Sequence, residues 1–157
     1  MKTFNLKYNP KKIISYNKKG KETDEAGYLA EIIVKKKLWR FGYAAKHLTK
    51  SSEFDLLVKD EIRVEVKTGK PRLKKDGTFS WNIMNPYRNK YDVLAVVLPF
   101  PEDRKPLILF FTKEKINNLV NEKKIGEYGL TFSSTGHKKW LMGMGEKMPY
   151  KVFGEPF

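Results

Sequence analysis

Residues 53–70 read Glu-Phe-Asp-Leu-Leu-Val-Lys-Asp-Glu-Ile-Arg-Val-Glu-Val-Lys-Thr-Gly-Lys. With a period of two, Phe54, Leu56 and Val58 point one way, and Ile62, Val64 and Val66 do the same in the next run. The spacing predicts a hairpin with one apolar face and with Asp55, Glu65 and Lys67 on the other. A three-residue turn at Lys59, Asp60 and Glu61 pairs Val58 with Ile62, and counting outward sets Asp55 opposite Glu65. A two-residue turn would set Asp55 against Val66 and mix the faces, which a one-sided sheet disfavours. No glycine sits in the turn, so Asp60 is expected to take the left-handed conformation. Two carboxylates facing each other across a strand pair repel unless a cation lies between them. The arrangement therefore reads as a divalent-metal site with Lys67 beside it. The competing reading is a strand-end acid and an ordinary exposed Glu65–Lys67 ion pair.

Upstream, the pattern turns helical from Thr23, a capping residue followed by Asp24 and Glu25, and Gly42 marks the exit. Ala26, Leu29, Ala30, Ile33, Val34, Leu38 and Phe41 form its apolar face. Glu31 falls at the margin of that face, and Gly27 lies one turn earlier on the same edge, where a backbone or a phosphate could come close. Glu31 either reaches toward the hairpin or pairs with Lys35 four residues on, an arrangement worth a few tenths of a kcal/mol, roughly 0.2–0.5.

A glycine and a glutamate on a first helix (Gly27, Glu31), a hydrophobic strand with an aspartate (Asp55), a short turn and Val-Glu-Val-Lys (Glu65, Lys67) together resemble the PD-(D/E)XK nuclease superfamily. That superfamily includes restriction enzymes, archaeal Holliday-junction resolvases and some homing endonucleases. The resemblance spans residues 23–112, with Phe54 in place of the namesake proline. It implies an α/β, restriction-endonuclease-like fold, a central mixed sheet flanked by helices, and phosphodiester hydrolysis of DNA with Mg²⁺, for which Mn²⁺ substitutes. On this resemblance Asp55, Glu65, the backbone carbonyl of Val66 and Glu31 hold the metal, and Lys67 orients the attacking water. The organisation it implies is one nuclease domain over residues 1–157: a basic arm at 1–22, the core at 23–112 and an extension at 113–157.

Composition points the same way. The chain has 157 residues, 40% of them hydrophobic, enough for one buried core. Its 32 basic and 18 acidic residues leave +14, a field that favours polyanions, nucleic acid before an anionic membrane surface. No apolar run approaches the roughly 20 residues of a membrane span, and the start lacks the apolar stretch of a secretory signal. Without cysteine there are no disulfides or thiolate metal sites, which suits an intracellular, cytoplasmic protein.

Residues 1–21 carry seven lysines and no acid. Lys18, Lys19 and Lys21, with Lys70, Arg72, Lys74, Lys75 and Arg88 further on, form the candidate nucleic-acid contacts, since lysine-rich segments gain affinity by releasing condensed counterions. The alternative for the arm is a solvated tail. Residues 43–45 are a candidate first strand, and His47, with no ligand partner at metal spacing, reads as loop or surface. Phe79, Trp81 and Ile83 alternate with Ser80 and Asn82 as a third strand with one polar face, on which Asn82 and Ser80 face either nucleic acid or water. Residues 91–98 are apolar on both faces and read as a buried central strand, with Asp92 tying down a neighbouring amide. Residues 107–111 read as a strand and 113–124 as a helix capped by Thr112. Residues 131–157 show no clear period; Trp140, Leu141 and Met142 pack a terminal helix onto the sheet or across a dimer.

A junction resolvase of the same superfamily and a non-catalytic nucleic-acid-binding protein remain the alternative functions. A homodimer is compatible with the extension but not indicated by one sequence.

Overall fold

The computed structural model describes residues 20–48, 54–84, 90–101, 104–125, 129–136 and 139–156. Lys18, Lys19 and Arg88 lie outside the described residues, as does most of the basic arm. Helix α1, Gly20–Arg40, begins three residues before the expected cap, so Thr23 sits within its first turns and residues 20–22 belong to the helix, not to the arm. It closes at Gly42, whose φ of 87° is the left-handed conformation that glycine adopts without strain. There Gly42 N–H donates to Trp39 and Tyr43 N–H to Leu38, the paired bonds that satisfy the last helical carbonyls. Phe41, expected on the apolar face, lies past the helix and is 40% exposed.

The main sheet has five strands in the order β1 (Ala45–His47), β2 (Leu56–Val58), β3 (Ile62–Thr68), β6 (Val93–Leu98) and β7 (Leu107–Thr112). β3 and β6 run parallel and the other pairs antiparallel, so the sheet is mixed. The β2–β3 turn is the expected three residues, with Val58 opposite Ile62. Both Lys59 and Asp60 take positive φ, 56° and 59°. Asp60 is then held by an ion pair to Lys46.

Strand β6 is buried along its whole length because it feeds two cores. Val93, Ala95 and Val97 join Ala26, Ala30, Val34 and Leu38 of α1 and Val64 and Val66 of β3. Leu94, Val96 and Leu98 face the other way, with Leu109 and Phe111 of β7. At the strand's start Asp92 accepts from the Arg63 amide at 2.8 Å and from its guanidinium at 3.1 and 2.9 Å. Those bonds hold its carboxyl below the usual carboxylate range.

The strand expected at residues 79–83 forms, and it belongs to a second sheet. β5 (Phe79–Met84) lies between β4 (Pro71–Leu73) and β8 (Gly129–Ser133) in a separate three-stranded antiparallel sheet. Its apolar side covers the second core with Trp81, Ile83, Leu130 and Phe132. Helix α2 (Lys113–Asn121), capped by the Thr112 hydroxyl as expected, adds Ile116 and Leu119. Helix α3 (Lys139–Met144) buries Leu141 there, with Trp140 and Met142 packed against it, and α4 (Tyr150–Phe153) inserts Phe153 into the first core. The result is a mixed α/β fold, a central mixed sheet flanked by helices. Among the described residues no helix is long and apolar enough to cross a membrane.

Trp81 ties the two sheets together: its indole N–H donates to the Pro99 carbonyl at 2.7 Å in a fully buried position. Trp81→Phe keeps most of the apolar area but leaves that carbonyl without its donor. The expected loss is about 1–3 kcal/mol, read from the urea midpoint.

Candidate active site

Strand β3 outruns its neighbour. β2 pairs with it only as far as Val64, whereas β6 pairs with it from Val64 to Thr68, so the β2 side of residues 65–68 is an open edge. Asp55, the residue before β2, fills that edge. Its amide donates to the Val64 carbonyl at 3.0 Å, and its carboxylate Oδ2 accepts from the Val66 amide at 2.8 Å. In an extended strand the N–H and C=O of one residue point to the same side. The Val66 carbonyl is therefore directed at the same edge as Asp55.

Glu65 and Lys67 share the face predicted for them. Glu65 is 4% exposed, one of two buried polar or charged residues among the described residues, and its Oε1 lies 3.4 Å from Lys67 Nζ. Glu31 reaches the cluster from α1, hydrogen-bonding Asp55 within the field of Glu65. Its helix neighbour Lys35 is turned elsewhere, 3.5 Å from His47 Nδ1 and over the Trp39 ring. Glu31, Asp55, Glu65 and Lys67 are thus brought together from α1, the β2 approach and β3, although Glu31 stands 24 residues ahead of Asp55 in the chain.

Burial, the hydrogen bond to Asp55 and the charges of Asp55 and Glu65, in that order, raise the Glu31 pKa from 4.5 to about 8. Burial disfavours the charged form of Glu31, and the two neighbouring carboxylates add to that effect. The donor set is all oxygen, which suits a hard divalent cation. The cluster nevertheless is not a finished cage: among the described residues, no three or more His, Cys, Asp or Glu side chains stand in a geometry ready for a metal ion.

A stability test follows. The folded protein holds a proton on Glu31 that the unfolded chain releases near pH 4.5, so between about pH 4.5 and 8 the native state binds more protons. Stability in EDTA is therefore expected to fall as pH rises through that window. Thermal melts should show the decline in wild type and a flatter profile in Glu31→Gln.

Two residues enter the site's surroundings without a local sequence signal. Lys113, first residue of α2, lies over the Tyr91 ring at 3.9 Å and within the field of Glu65. Burial lowers its pKa and Glu65 opposes that shift. His47, expected in a loop, instead ends strand β1, half-buried, with its ring 5.3 Å from Tyr28. Burial and Lys35 lower its pKa, and Asp55 opposes that shift.

Of the candidate nucleic-acid contacts, Lys70, Arg72, Lys74 and Lys75 are exposed on the segment that leaves β3. Lys21 falls in the first turn of α1. A Cβ on Gly27 would meet no atom within 4 Å, so that edge of the helix is open.

This chain is similar in fold to a bacterial homing endonuclease. The solved structure of that enzyme, I-Ssp6803I, superposes with a TM-score of 0.55 over 83% of this chain and 90% of its own, at 15% sequence identity. No family model matches the chain, and no curated protein matches its sequence.

Proposed function

We propose that the protein is a Mg²⁺-dependent DNA endonuclease with a PD-(D/E)XK site. The observation that carries this reading is the convergence of Glu31, Asp55 and Glu65 with Lys67 at the open edge of β3, where burial first and the adjacent carboxylates second raise the Glu31 pKa to about 8. The fold shared with a homing endonuclease and the +14 charge support the same reading.

Asp55, Glu65, the Val66 carbonyl and Glu31 are the groups that would hold the ion. Mg²⁺ when bound supplies a Lewis acid that lowers the pKa of a coordinated water and offsets charge on the phosphate. The chain's own part is positional. The Val66 amide fixes the Asp55 carboxylate in one orientation, and the mostly buried Glu65 is held on the rigid centre of the sheet. Lys67, its Nζ 3.4 Å from Glu65 Oε1, would orient the attacking water and hydrogen-bond the phosphate oxygen as charge builds on it. The exposed Lys70, Arg72, Lys74 and Lys75 give the phosphodiester backbone a basic path to that point.

One observation favours a second reading, a non-catalytic nucleic-acid-binding protein: the lack among the described residues of a ready three-ligand group. Incubation with supercoiled, linear and four-way-junction DNA in Mg²⁺, Mn²⁺ or EDTA separates the two. Metal-dependent strand scission is the expected result, and preference for the junction would mark a resolvase. DNA binding without scission in either metal would overturn the nuclease reading.

A further inference from the structure

The three-stranded sheet has one face committed to the core and one that no part of the described chain covers fully. The register fixes which residues share the open face: Arg72 stands opposite Ser80, Ser80 opposite Ser133, and Asn82 opposite Thr131. Arg72 and Asn82 are exposed, Ser80 and Thr131 half-buried, and Thr131 donates to Asn82 Oδ1 at 3.2 Å. Lys74 Nζ reaches back over the buried Ser133 hydroxyl at 3.1 Å. No carboxylate falls among these positions. Asp76, in the β4–β5 turn, is engaged by the Thr78 amide and hydroxyl.

We propose that this face, carrying Arg72, Ser80, Asn82 and Thr131, lies in the major groove of duplex DNA and reads base edges there. The proposal rests on the nuclease reading above in taking the substrate to be DNA.

Three arguments select this occupant. First, charge: a face with an arginine, three small polar side chains and flanking exposed Lys70, Lys74 and Lys75 complements a polyanion. Second, chemistry. Amide and hydroxyl groups contribute little to phosphate neutralisation, but asparagine pairs with adenine, arginine with guanine, and serine or threonine with any base edge. Third, shape: neighbouring strands are spaced about 4.8 Å apart, so the paired β5 and β8, which carry Ser80, Asn82 and Thr131, form a two-stranded ribbon of the width a major groove about 12 Å wide admits, with Arg72 of β4 at its margin. A single-stranded ligand is disfavoured, because platforms for unpaired bases present aromatic rings. Here Trp81 and Phe132 are turned into the core, with Phe79 packed against it.

The face is also tied to the site. Gly69, two residues beyond Lys67, crosses β5 so closely that a Cβ would lie 2.8 Å from the Asn82 carbonyl. A base read at Asn82 is thereby registered against the phosphate at Lys67 through a backbone crossing that admits no side chain.

The test is equilibrium binding in EDTA, so its outcome is independent of cleavage. A random-sequence duplex pool is enriched on wild-type protein, on the Asn82→Ala/Thr131→Val double variant and on Arg72→Ala, whose exposed side chain makes unfolding no confounder. Wild type is expected to enrich a consensus of several base pairs. Either variant should lose about 5- to 100-fold of the discrimination at one or two of those positions; binding to the unselected pool should change by about twofold in the Asn82→Ala/Thr131→Val variant and weaken further in Arg72→Ala, which also removes a backbone-facing charge. Lys74→Ala/Lys75→Ala should instead weaken all sequences alike and flatten the salt dependence. Absence of any enriched sequence, an unchanged consensus in both variants, or equal competition by single strands would overturn the proposal. Each of these leaves the Mg²⁺-dependent scission assay to judge the nuclease reading separately.

Discussion

Asp55→Asn and Glu65→Gln are each expected to reduce DNA scission in Mg²⁺ by on the order of 10³-fold or more, about 4 kcal/mol of transition-state stabilisation, while DNA binding in EDTA is unchanged or tighter. The two substitutions remove the same charge but act on different supports. Asp55 is held by the Val66 amide, and an asparagine keeps an oxygen to accept that bond, so the β2–β3 edge should stay closed and the melting temperature near that of wild type. Glu65 is buried beside Lys67 with Lys113 in its field, so glutamine removes the counter-charge of a mostly buried pair. Leaving one partner of such a pair uncompensated costs stability, so Glu65→Gln should melt below Asp55→Asn. Binding holds or tightens because an anionic group beside the phosphate is gone. Plasmid nicking over a time course, with fluorescence anisotropy for binding, reads both effects. Wild-type scission rates in either variant would dismiss these carboxylates as metal ligands.

How far the site was legible in the sequence depends on which forces placed each residue. The β2–β3 hairpin was readable because side-chain direction alternates strictly along a strand: once the turn is three residues, Asp55, Glu65 and their separation from the apolar face follow. The observed pairing of Val58 with Ile62 is that register. Burial of β6 on both sides was equally readable from its unbroken apolar run, and Asp92 does tie down an amide, that of Arg63. The second sheet was not. Gly129–Ser133 is a five-residue strand between two helices, and its alternation of Leu130 and Phe132 with Thr131 is too brief to stand out. It exists because Trp81 and Ile83 of β5 need covering on the same side as Leu130 and Phe132, a requirement set by tertiary packing. His47 and Lys113 escaped for the same reason. Neither has a ligand-like neighbour in sequence, and each comes near the carboxylates only when β1 pairs with β2 and α2 closes onto β7.

Lys67→Ala is expected to lower the scission rate by about 10²–10³-fold, the scale seen when one preorganised donor to a developing oxyanion is removed. The lysine's position explains why its neighbour cannot replace it. Lys113 also lies in the field of Glu65, but it approaches from the start of α2 with its ammonium over the Tyr91 ring at 3.9 Å, not from the strand that carries the carboxylate. Lys67 departs from the same strand as Glu65 two residues on, so its ammonium and the Glu65 carboxylate keep a fixed relation at 3.4 Å. Lys113→Ala should therefore cost less than tenfold in rate, and Lys67→Ala/Lys113→Ala more than the sum of the single losses, because the two ammonium groups share one carboxylate. Removing Lys67 also leaves the Glu65 carboxylate with less compensation, so the variant should be destabilised in EDTA by about 1–3 kcal/mol. Added Mg²⁺ should recover part of that stability, since a cation bound to Glu65 replaces the missing charge, yet it should not restore the rate. That separation of stability from turnover is the critical reading: if Mg²⁺ rescued both, the lysine would be only a counter-ion, and the chemistry assigned to it would belong elsewhere.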